Sequence, residues 1–175
     1  MAPFLLYGPY FCTKNQFNLP GEKLIPDGAD AGLPHWTVSK EFYTRVFDYV
    51  KKKGGIGYEV DFMSELYLGI PEFRRTLDSA TVWQQGLNDA AAAHNVPVQF
   101  CMMQPDDILN TLFLGQVTNG RASGDYASNW NWDLGGSSLL YWALGIRPSK
   151  GERHAMYVSF LPLGCSELNL FGACV

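Results

Sequence analysis

The sequence predicts an α/β fold with parallel strands. Short runs rich in β-branched and aromatic residues alternate with longer stretches of helical periodicity, and Gly, Pro and Asn fall between them. A chain of 175 residues, 47% hydrophobic and 17% charged, is enough for one core and suits a single domain over 1–175.

Phe4–Tyr7 reads as a buried strand closed by Gly8 and Pro9, and 18–34 as a turn-rich loop without a regular element. Ser39 suits the N-cap of a helix whose Phe42, Val46 and Tyr49 recur at helical spacing beside Phe47 and Val50. Gly54 and Gly55 end that helix, and Ile56–Phe62 returns to strand composition with Asp61 near its carboxyl end. A second helix is predicted over Ser79–His94, with Val82, Leu87, Ala90 and Ala91 as its apolar face. Val98–Met103 follows as a strand, and Pro105 starts a helix whose buried face is expected to be Ile108, Leu109, Leu112 and Phe113. Gln116–Ala122 fits a further strand, and Leu139–Leu144 a last helix after a Trp-rich loop, with Gly135 and Gly136 shaping its start. Residues 151–175 read as an irregular terminal extension in which Met156–Leu161 is strand-like. A closed eight-unit barrel takes about 250 residues, so about four or five strand-helix units, a partial TIM-barrel-like domain, fit this length better. Such a partial sheet exposes strand edges, which a partner or a missing segment would complete.

Thirteen basic and seventeen acidic residues give a formal charge of −4 without a broad positive stripe, which argues against a nucleic-acid partner. Lys51, Lys52 and Lys53 sit where a helix C-terminus favours cations. Cys12, Cys101, Cys165 and Cys174 form no CxxC pair and no disulfide framework, and the three histidines follow no ligand spacing, so neither a metal nor a cofactor is expected. The first residues lack the pattern of a secretory signal and no apolar run spans a bilayer, which makes a cytoplasmic or other soluble location the default and argues against a membrane partner.

Two aspartates dominate the functional reading, Asp61 in Gly-Tyr-Glu-Val-Asp-Phe and Asp125 in Arg-Ala-Ser-Gly-Asp-Tyr. Carboxylates at the ends of two strands can divide nucleophile and acid/base work on a glycosidic bond; the alternative for each is a turn cap or a structural ion pair. Glu59 has the same side parity as Asp61 and either shares its pocket or pairs as a buried ion. Arg121 either binds a sugar hydroxyl or makes a structural bidentate pair. Trp130 and Trp132, with Tyr7 and Tyr10, are candidates for packing against a sugar ring, the alternative being core or loop support. Asp106 and Asp107, after Pro105, fit helix-start stabilisation better than ligand binding, and Cys101 reads as a small core side chain.

Val-Asp-Phe at 60–62 and Arg-Ala-Ser-Gly-Asp-Tyr at 121–126 resemble the catalytic-strand motifs of the α-galactosidase and raffinose-synthase superfamily of glycoside hydrolases. The resemblance spans about residues 4–150, with Cys101-Met102-Met103 as a loosely similar strand end between the two motifs. It implies a (β/α)8-type catalytic domain and a metal-free retaining mechanism on α-linked galactosides. Asp61 would be the nucleophile, Asp125 the general acid/base and Arg121 a substrate-binding group. Glu59 stands where that family usually has a lysine, and Gly124 where many of its members have an acidic residue. The other reading of the same motifs is a catalytically inactive carbohydrate-binding or interaction domain, or an incomplete glycosidase-like fragment.

Overall fold

The computed structural model describes residues 4–7, 17, 20, 25–26, 35–37, 39–64, 70–76, 78–122 and 130–149; the side chains of 4–7, 25–26, 35–36, 72 and 130–134 are outside this description. Five strands form one sheet: β1 (Phe4–Tyr7), β4 (Gly55–Val60), β5 (Val98–Phe100), β6 (Val117–Arg121) and β7 (Arg147–Ser149). They lie side by side in chain order and every pairing is parallel. A separate two-residue pairing joins β2 (Ile25–Pro26) to β3 (His35–Trp36), so the region expected to lack regular structure contains one short strand.

The crossovers are α1 (Lys40–Lys52), α2 (Ser79–His94), α3 (Pro105–Asn110) and α4 (Trp130–Ala143). Parallel crossovers are right-handed, and a strand order that never reverses puts successive helices on one face of the sheet. The packing agrees: Tyr58, Val60, Val98, Phe100 and Val117 are buried in one cluster with Phe42, Val46, Phe47 and Val50 of α1 and Trp83, Leu87, Ala90 and Ala91 of α2. Phe47 meets Tyr58 edge-on at 5.3 Å, and the buried Trp83 donates its indole N–H to the Tyr43 hydroxyl at 3.0 Å.

Each helix boundary has a local cause. The Ser39 side chain accepts from Phe42 N–H at the start of α1, and Asn95, in the left-handed region at φ 50°, closes α2. Asp107 accepts from Gln104 N–H to complete the capping box of α3, the helix-start role its position suggests.

Several expectations are corrected. Val82 is 59% exposed, because the core face of α2 rotates to Trp83, Gln84, Leu87 and Asn88. Leu109 is exposed because the buried side of α3 is the one that carries Asp107, and Leu112 and Phe113 are exposed since α3 ends at Asn110 and a 3-10 turn over Thr111–Phe113 breaks the register that would have aligned them with Ile108. The last helix begins at Trp130 rather than Leu139, placing Gly135 and Gly136 in its interior and Trp130 and Trp132 on helical backbone instead of in a loop. The short strand β7 has no counterpart in the sequence reading. No helix among the described residues is long and apolar enough to cross a membrane. The terminal stretch 151–175 lies outside the described residues.

Candidate active site

The sheet face turned away from α1 and α2 carries polar side chains from three adjacent strands. Register sets them in rows: Glu59 is level with Gln99, and Gln99 with Asn119. Two residues further along each strand, Arg121 is level with Ser149, and Cys101 N–H donates to the Val60 carbonyl at 2.9 Å, bringing Cys101 beside Asp61.

A register irregularity in the β5–β6 pairing makes this possible. Val98 pairs with Val117 but Gln99 pairs with Asn119, so Thr118 is passed over and stays exposed. The inserted residue reverses the side parity of the rest of β6, turning Asn119 and Arg121 onto the polar face. Beyond it Gly120 takes the opposite face, where a Cβ would collide with Met103 Cε and sit 3.1 Å from the Tyr141 ring.

The two strands that carry the acidic and thiol groups end alike. Phe62 (φ 55°) and Met102 (φ 57°) each lie two residues past the last strand residue in the left-handed region. That conformation costs a non-glycine residue about 1–2 kcal/mol. Paired strain at adjacent strand ends is the kind of outlier that clusters at functional sites.

Glu59 (2% exposed), Asp61 (8%) and Cys101 (0%) are buried together, with one carboxylate or thiol atom of each within 4.8 Å of the others. Asp61 accepts from Phe62 N–H at 2.7 Å and from the Cys101 thiol. Glu59 is bonded to Gln99, whose Oε1 accepts from Asn119 Nδ2 at 2.6 Å. Burial, and after it the charge of Asp61, pushes Glu59 up to about 7, while Arg121 and the Gln99 bond pull it back. Burial likewise raises Cys101, reinforced by its bond to Asp61 and that carboxylate's charge, so the thiol is not an activated nucleophile. Two carboxylates and a thiol at this spacing could converge on a cation, but the thiol keeps its proton in the hydrogen bond to Asp61 and Arg121 brings positive charge to the cluster.

Arg121 is half-buried, and its carbonyl accepts from the Tyr141 hydroxyl at 3.1 Å, which ties the end of β6 to α4. The structure therefore brings together Glu59, Asp61 and Arg121 of the residues singled out from sequence. Asp125 and Tyr10 lie outside the described residues, as do the side chains of Tyr7, Trp130 and Trp132; the backbone of Tyr7 is level with Glu59 on β1. Gln99, Asn119 and Tyr141 were missed. The first had a readable signal, because Val-Gln-Phe-Cys at 98–101 repeats the polar alternation of Tyr-Glu-Val-Asp at 58–61. No known family, curated protein or solved structure matches this chain.

Proposed function

We propose that the chain is a retaining glycoside hydrolase or transglycosidase of the α-galactosidase and raffinose-synthase type, acting on an α-linked galactoside from the open ends of a partial (β/α) barrel. The observation that carries this reading is the position of Asp61, at the carboxyl end of a parallel strand and on the sheet face opposite the helices. Catalytic groups of barrel enzymes occupy that place. In the reaction proposed, Asp61 attacks the anomeric carbon while Asp125 protonates the departing oxygen; Asp125 then takes a proton from the water or sugar hydroxyl that releases the glycosyl ester. Arg121 supports the reading as a cation at the end of β6, four residues before Asp125.

A second reading, a carbohydrate-binding domain with disabled chemistry, is favoured by the surroundings of Asp61. Asp61 is largely buried and already accepts two hydrogen bonds, and Glu59 brings a second carboxyl group where the resembling enzymes carry a lysine. A panel of α-galactosides separates the two. The glycosidase reading expects hydrolysis with retained anomeric configuration, lost in both Asp61→Asn and Asp125→Asn. Sugar binding without turnover, unchanged in the two variants, would favour the binding domain.

A further inference from the structure

A hydrogen-bonded row crosses β4, β5, β6 and β7 on the polar face. Asn119 Nδ2 lies 3.5 Å from Ser149 Oγ and donates to Gln99 Oε1 at 2.6 Å, and Gln99 bonds Glu59. Because its carbonyl oxygen is engaged by Asn119, Gln99 has its Nε2–H to offer, and Glu59 accepts. Glu59 thus has a neutral donor at 2% exposure, whereas Asp61, at 8%, accepts from both a backbone N–H and a thiol. When two carboxyl groups share a buried site, the charge settles on the one with more donors and more water.

We propose that Glu59 is a positioning residue that carries the one proton shared by the Glu59–Asp61 pair. The positioning role rests on the glycosidase reading above; the location of the proton does not. Charge balance supports it. The titratable and charged groups around Glu59 are Asp61 on its own strand, Cys101 on β5 and Arg121 on β6. Tyr7 is its register partner on β1, the exposed Arg147 of β7 is the register partner of Asn119, and Tyr141 of α4 bonds the Arg121 carbonyl from the opposite face. Burial keeps the Cys101 thiol protonated, so one shared proton leaves a single carboxylate to face the Arg121 cation, and its loss would leave two. Burial and the Asp61 charge, which push Glu59 up to about 7, act in the same sense.

Carbon-13 NMR of the glutamate and aspartate carboxyl groups in the full chain tests this, with Glu59→Gln assigning the Glu59 signal by its disappearance. The expected result is a Glu59 midpoint near neutrality in the wild type that drops by about one pH unit in Asp61→Asn, where the repelling charge is gone. A wild-type Glu59 midpoint in the ordinary carboxylate range overturns the proposal, and that titration decides the matter even if Asp61→Asn does not fold. A midpoint unmoved in folded Asp61→Asn also overturns it. The displaced Glu59 midpoint without turnover of any α-galactoside would sink the glycosidase reading and the positioning role with it, while the proton would still reside on Glu59.

Discussion

Glu59 and Asp61 project two residues apart from one face of β4, and their carboxyl groups converge with the Cys101 thiol within 4.8 Å. Strand geometry enforces the first part, since residues i and i+2 share a face. The second part needs β5, which sets Gln99 against Glu59 and Cys101 beside Asp61. A cluster of this kind costs stability once it ionises, and it is the place where sequence most directly becomes chemistry.

That cost gives the domain a pH dependence of definite sign. The folded state holds the Glu59 proton at about 7 against an ordinary value of 4.5, so it binds the proton more tightly than the unfolded chain does. The resulting stabilisation is complete below about 4.5 and is lost as pH rises through 7, an effect on the order of 3 kcal/mol at most. Urea unfolding across this window is expected to show falling wild-type stability, with a shallower fall in Glu59→Gln. Asp107, which burial also pushes up to about 7, contributes in the same direction and remains in that variant. Parallel pH profiles for the two proteins would contradict this account of Glu59.

Asp107 holds α3 against α2. Its two oxygens accept from Gln104 N–H at 2.9 Å and from Gln84 Nε2 at 2.6 Å, the first bond partly and the second fully buried. Replacement by Ala removes the cap and strands two donors, an expected loss of roughly 2 kcal/mol in the unfolding free energy. Asp106→Ala, at an exposed neighbouring position, is expected to change chemical denaturation by no more than about 0.5 kcal/mol.

Gly120 marks where the bulged strand passes under α4. A methyl group there meets the mobile end of Met103 and then the Tyr141 ring, so Gly120→Ala is expected to cost about 1–3 kcal/mol. Since Tyr141 also holds the Arg121 carbonyl, the same change should weaken any sugar affinity that depends on Arg121. Met103→Ala in the Gly120→Ala background relieves the nearer contact; failure to recover stability there would show that the tyrosine side sets the cost.

The parts of this arrangement that obey local rules were legible in the sequence. Ser39 as a cap, Pro105 at a helix start, and the alternation that puts Glu59 and Asp61 on one face each depend on a few neighbouring residues. What sequence could not supply was register across chain segments. The bulge that turns Asn119 and Arg121 onto the polar face depends on pairing with β5, and no short-range signal marks Thr118 as the residue passed over. The apolar spacing of Ile108, Leu109, Leu112 and Phe113 suggested a buried helix face, yet α3 buries Asp107 and leaves Leu109 exposed, and the change from α to 3-10 geometry at Thr111 leaves Leu112 and Phe113 exposed. Likewise α4 absorbs Gly135 and Gly136 in its interior, where intrinsic propensity favoured a break.

The central claim, that Asp61 is a glycosyl nucleophile, is tested most directly by covalent trapping. A fluorinated α-galactosyl fluoride should lose fluoride as its anomeric carbon bonds to an Asp61 carboxylate oxygen, leaving an ester that peptide mass spectrometry can locate. The account predicts one added glycosyl group on the peptide containing Asp61, and none in Asp61→Asn. A label on another residue, or a folded protein that turns over α-galactosides while Asp61 stays unlabelled, would contradict it.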